Sequence, residues 1–83
     1  MIDVLYFAWV RERIGLPSER VDTQAQTVGE LVAELAARDD RYAAAFADVT
    51  ALRAAVDQEL VDDFSAPITG AREVAFFPPM TGG

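Results

Sequence analysis

The residues with the clearest chemical potential are Gly82 and Gly83, which follow the run Val74-Ala75-Phe76-Phe77-Pro78-Pro79-Met80-Thr81. Glycine has no β-carbon, so its backbone can approach another surface closely. At the last position it also leaves a carboxylate unhindered. That group does little alone, because a carboxylate is a poor electrophile. An ATP-using partner would convert it to an acyl-adenylate, whose carbonyl carries a good leaving group. Sulfur transfer then leaves a thiocarboxylate, whereas attack by a lysine makes an isopeptide. Gly83 is the expected reacting residue and Gly82 the steric gate to a narrow channel. The partner must supply bases, charge clamps and water exclusion.

The elements before the tail must hold it out. Pro78 and Pro79 restrict the chain to extended geometry, which predicts a projecting segment with part of its ordering cost already met. The apolar run 74–77 reads as part of a last strand over 72–77, and Ile2 to Phe7 as a first one. Ala8 to Ile14 reads as a short helix closed by Gly15, and 16–23 as an edge strand with Pro17 near its start. Thr27 and Glu30 have the spacing of a capping box, and Val28, Leu31, Val32 and Leu35 recur on one helical face. Glu30, Glu34 and Arg38 fall on the wetter side, the last two spaced for an ion pair. Arg41 to Ala47 predicts a second short helix that carries Tyr42 and Phe46 inward. Leu52 to Val56 and Leu60-Val61 read as strands around an Asp57-Gln58-Glu59 turn, with Ile68 as a plug in the connection that follows.

Strands at both ends and one sure helix between them predict an α+β fold, a small mixed sheet with a main helix across one face. With the first and last strands as central neighbours, Ile2, Val4, Val74 and Phe76 meet Leu31 and Leu35. Parity sends Leu5, Phe7, Ala75 and Phe77 to the opposite face, which has no obvious helix. Either a partner docks there, or the 62–66 segment covers it. A large apolar side chain gains about 1.5–3 kcal/mol on burial, so Phe7 and Phe77 would anchor a partner well.

Composition excludes several functions. The 83 residues make one domain, too short to enclose a complete enzyme pocket. Without cysteine there is no disulfide, thiolate metal site or persulfide, and without histidine no ordinary general base. Paired carboxylates at Asp39-Asp40 and Asp62-Asp63 are better read as caps and turns than as acid–base or metal groups. The formal charge is −7, and the seven basic residues are scattered arginines. Nucleic acid and anionic membranes are therefore poor partners, and a basic protein face a good one, unless the charge serves only solubility. No glycine-rich phosphate loop occurs, so ATP belongs to the partner. The first residues do not resemble a leader peptide, no stretch is long and apolar enough for a membrane span, and the cytoplasm is the expected location.

The chain resembles the small subunits of molybdopterin synthase, the sulfur carriers of molybdenum cofactor biosynthesis, over essentially its whole length. The resemblance rests on Val4-Leu5-Tyr6-Phe7-Ala8 with Val10-Arg11-Glu12, the helix after Thr27, Ala55-Val56-Asp57-Gln58, and Val74 to Gly83. Asp57 stands where the family often has asparagine and Met80 where it often has valine. The resemblance implies a ubiquitin-like β-grasp domain over 1–77 and a reactive tail over 78–83. It implies adenylation of Gly83 by an E1-like adenylyltransferase using ATP with magnesium. A sulfur-donating enzyme then supplies the thiocarboxylate sulfur. The tail (Pro78, Pro79, Met80, Thr81, Gly82) enters the synthase large subunit, which holds the pterin substrate, in a heterotetramer. There the sulfur reaches cyclic pyranopterin monophosphate, and two turnovers build the dithiolene. The implied docking residues are Phe7, Leu60 and Phe77, with Arg11 as a further contact. No cofactor is expected on this chain. The rival functions are a sulfur carrier for thiamine or tRNA thiolation, a protein modifier, and a binding module with an inert tail.

Overall fold

The computed structural model describes residues 1–79. Strand β1 (Ile2–Tyr6) leads into helix α1 (Ala8–Ile14), which Gly15 closes at φ 91°, its N–H donating to the Arg11 carbonyl at 2.7 Å. Strand β2 (Ser18–Val21) returns antiparallel to β1. Helices α2 (Val28–Ala36) and α3 (Asp40–Ala45) follow, then a short 3₁₀ turn at Val49–Ala51. Strands β3 (Arg53–Val56) and β4 (Glu59–Leu60) form a hairpin, and β5 (Glu73–Phe77) completes the sheet.

The five strands lie in the order β2-β1-β5-β3-β4. β5 pairs in parallel with β1 and antiparallel with β3, so the last strand is central. This mixed sheet with helices on one side is the expected α+β arrangement. The pairing of Val4 with Val74 and Tyr6 with Phe76 places one apolar face of both central strands under the helices. There Ile2, Val4, Tyr6, Val74 and Phe76 share a core with Leu31, Leu35, Tyr42 and Phe46. The Phe46 ring meets Phe76 edge-on, with centroids 5.2 Å apart.

Thr27 caps α2 by accepting the Glu30 N–H at 3.1 Å. The reciprocal half of the box is displaced: the Glu30 carboxylate accepts from the Gln26 N–H at 3.2 Å. The expected Glu34–Arg38 pair does not form. α2 ends at Ala36, so Arg38 lies beyond the helical spacing; it reaches Glu19 at 2.9 Å, while Glu34 accepts from the Thr23 hydroxyl. The second short helix begins one residue before Arg41 and ends two before Ala47, because the Asp39 carboxylate accepts from the Arg41 and Tyr42 N–H groups at 2.8 and 3.3 Å.

Ile68 is buried as the expected plug. The 62–66 segment lies on the helix side. Its Phe64 ring faces Phe76 edge-on, and its Phe64 and Ala66 carbonyls accept from Gly29 and Val28 at 2.8 and 3.0 Å. That segment therefore packs on the core face of the sheet, not on the face that carries Leu5 and Ala75.

Candidate functional site

Strand register builds the opposite face row by row. Across the middle run Ser18, Leu5, Ala75, Ala55 and Leu60. On the side of the chain's exit, Phe77 stands opposite Arg53. On the far side, Arg20, Asp3 and Glu73 form a charged border, with Arg20 and Asp3 ion-paired at 3.1 Å. The face thus runs from charged to apolar towards the end of β5.

Exposure varies along this face. Leu60 is 67% exposed on a two-residue edge strand, and Phe7 is 47% exposed. Phe77 and Leu5 are partly buried. Ala75 is buried although it points to this side, because its one methyl group sits between neighbours on two strands. Phe7 is not a strand residue. It is the N-cap of α1, with extended backbone and its N–H donating to the Phe76 carbonyl at 3.0 Å. Arg11 is exposed on α1 and makes no ion pair among the described residues. Pro78 and Pro79 are partly buried just past β5. The expectations for Met80, Thr81, Gly82 and Gly83 fall outside the described residues.

Two side-chain clusters tie the elements of this sheet together, and sequence reasoning missed both. The first centres on Glu19 of β2. Its carboxylate accepts from the Tyr6 and Tyr42 hydroxyls at 2.8 and 2.7 Å and from the Arg38 guanidinium at 2.9 Å. Partial burial works to raise the Glu19 carboxyl, but the bonds from Tyr42, Tyr6 and Arg38 outweigh it and hold the group below its ordinary value. Burial, then the hydrogen bond to Glu19 and the charge of that carboxylate, pushes the Tyr6 hydroxyl well above the usual tyrosine range. The available signal was two tyrosines at core positions, each needing a partner for its hydroxyl. The second cluster lies at the β3–β4 turn. Asp57 and Gln58 adopt φ 49° and 71°, and one Asp57 carboxylate oxygen accepts the Arg72 and Glu73 N–H groups at 2.9 and 3.0 Å. It thereby ties the hairpin to the start of β5.

The carboxylate pairs have structural work. Asp39 caps α3, and Asp63 accepts from the Ser65 N–H at 2.8 Å in a turn. Among the described residues no cluster of acidic side chains could hold a metal ion, and no helix is long and apolar enough to cross a membrane.

Residues 4–83 match the ThiS family. Over all 83 residues, and the full length of both chains, the sequence is 49% identical to the molybdopterin synthase sulfur carrier subunit of Escherichia coli. It is 36% identical, again over both full lengths, to the protein of that name from Haemophilus influenzae. Among solved structures, SAMP1 from Haloferax volcanii superposes with a TM-score of 0.72 at 22% identity, covering 99% of this chain and 98% of that one. A molybdopterin converting factor subunit 1 from Pyrococcus furiosus gives 0.70 at 22% identity, covering 95% and 97%. These two likenesses establish the shared ubiquitin-like β-grasp fold.

Proposed function

The chain belongs to the ThiS family, and on that premise we propose that it is the sulfur carrier subunit of a molybdopterin synthase. Gly83 is the reacting residue. Its carboxylate attacks the α-phosphate of ATP in an E1-like adenylyltransferase, with magnesium bound there, and pyrophosphate leaves. Sulfide-level sulfur delivered by a donating enzyme attacks the acyl carbon, AMP leaves, and a thiocarboxylate results. Gly82 lets this end pass where a β-carbon would collide. The large subunit then receives the tail and holds cyclic pyranopterin monophosphate, which takes the sulfur while water restores the Gly83 carboxylate; a second carrier delivers the second sulfur of the dithiolene. These steps take place in the cytoplasm.

One observation carries the reading. The central strand β5 delivers the chain to a corner where exposed Phe7 and partly buried Phe77 and Pro78 gather, with Leu60 at the edge of the same face. A partner that covers this face also meets the point where the chain leaves β5. Full-length identity to two carriers supports the same conclusion.

The test is mass spectrometry after incubation with the activating enzyme, ATP and a sulfur source. The expected product is heavier by the exchange of one oxygen for one sulfur, located at Gly83. Deleting Gly83 should abolish it while the thermal melt stays native, and Gly82→Ala should slow it. A competent reaction mixture that leaves the mass unchanged refutes the assignment.

A further inference from the structure

Val49 is a large apolar side chain that the fold does not use. It is 45% exposed and stands outside the buried core, on the 3₁₀ turn Val49–Ala51. The turn itself is held from both ends. The Asp48 carboxylate accepts from the Thr50 N–H at 3.1 Å, and the Arg53 guanidinium donates to the Thr50 and Leu52 carbonyls at 3.2 and 2.8 Å. Val49 therefore sits at the surface on a loop that is already ordered, which lowers the cost of using it in a contact.

The turn borders a cleft of about 270 Å³. Val49, Val61 and Phe64 contribute apolar walls, and Arg53, Asp62 and Asp63 the charged lining. Arg53 spends its Nη1 on the two backbone carbonyls, and Asp63 is occupied by Ser65, whose N–H it accepts at 2.8 Å. Asp62 makes no ion pair among the described residues. β3 begins at Arg53, opposite Phe77, so the cleft borders the point where the chain leaves β5. Phe7 stands on the other flank of that point, its N–H bonded to the Phe76 carbonyl.

We infer that this cleft is a second docking socket for the large subunit: it takes an apolar side chain from the lip of the tail-receiving groove, beside a basic residue that faces Asp62. The inference rests on the function proposed above. A partner that closes around the tail and keeps water from the thiocarboxylate must meet the domain on both flanks of β5. On the β1 flank it meets Phe7, and on the β3 flank it meets this cleft. The formal charge of −7 favours a basic lip, and Asp62 is a carboxylate on the cleft that the fold leaves without a cation.

Calorimetric titration and stopped-flow association of the full chain with the large subunit, alongside thermal melts, test this. Val49→Ala should melt as wild type, since the side chain lies outside the core, and should raise Kd about threefold, because roughly half the burial of two carbon groups is lost. Val49→Asp should also melt as wild type but raise Kd more than about tenfold, because closing the cleft would strand a carboxylate. Asp62→Asn should leave the melt unchanged, slow association about twofold and flatten its dependence on salt. A Kd for Val49→Asp within about twofold of wild type overturns the socket. So does a lowered melting temperature for Val49→Ala, which would assign the side chain to the fold. Tighter binding by Val49→Ala overturns it as well, because the cleft would then hold a segment of this chain that the partner must displace. An unchanged association rate and salt dependence in Asp62→Asn overturn the basic residue opposite it. Failure of the wild-type chain to bind the large subunit overturns the underlying function instead, and shows before any variant is made.

Discussion

Replacing Leu60 with alanine separates docking from folding, because this side chain is two-thirds exposed in the free chain. The change removes three carbon groups, each worth about 0.8 kcal/mol when fully buried, or about 2.4 kcal/mol altogether. With 67% of the residue still open to water, about 1.6 kcal/mol of that burial remains for a partner to collect. The expected loss is about fifteenfold in Kd for the large subunit. The rest, at most about 0.8 kcal/mol, belongs to the fold, and a compact unfolded state makes it smaller. A domain of this size should therefore melt no more than about 6 °C lower. Calorimetric titration measures the first quantity and a thermal melt the second. The heat-capacity change of binding should also become less negative, as it does when less apolar surface is buried. A Kd within about twofold of wild type, with a native melt, would place Leu60 outside the interface and refute the reasoning.

Two further predictions concern what supports the face. Glu19 has a folded pKa below its ordinary value of 4.5, so its contribution is fully present above that value and is lost as pH falls through the lower folded one. Glu19→Gln should therefore be less stable than wild type at neutral pH, and urea melts should show the gap closing below about pH 4.5; a gap independent of pH would contradict this. Asp57→Asn should be nearly neutral, because a single oxygen accepts both the Arg72 and Glu73 N–H bonds, whereas Asp57→Ala should cost about 1–2 kcal/mol in the same melts. Equal destabilisation by both variants would show that charge, not hydrogen bonding, is what matters there.

Local signals in the sequence translated well. The Thr27 cap and the spacing of Val28, Leu31, Val32 and Leu35 located α2 and its buried face. The expected Asp57-Gln58-Glu59 turn marked the hairpin, but only Asp57 and Gln58 turn, both at positive φ, and the return strand is Glu59–Leu60 instead of Leu60-Val61. Parity along two strands assigned Leu5, Phe7, Ala75 and Phe77 to the face away from the helices; Leu5 pairs with Ala75 there, while Phe7 lies past the strand as the N-cap of α1. What escaped was long-range or conformational. Glu19 reads as an ordinary edge-strand acid, and only folding brings it to hydroxyls 13 and 23 residues away. Arg38 looks like the partner of Glu34 until the early end of α2 redirects it. Nothing about an alanine announces a left-handed backbone; Ala8 takes it because the strand and the helix on either side leave no room for a loop. Ala55 and Arg53 joined the face away from the helices only through the register of β3 with β5.

The central place of β5 has a mechanical consequence. A partner that grips the residues beyond Phe77 and pulls does not tug at a loose thread. The load enters a strand bonded to β1 on one flank and β3 on the other. Traction along that strand must shear both ladders together instead of unzipping bonds one at a time. The carrier's body can thus act as a rigid handle, so that work done in threading or withdrawing the tail moves the whole domain rather than unravelling it.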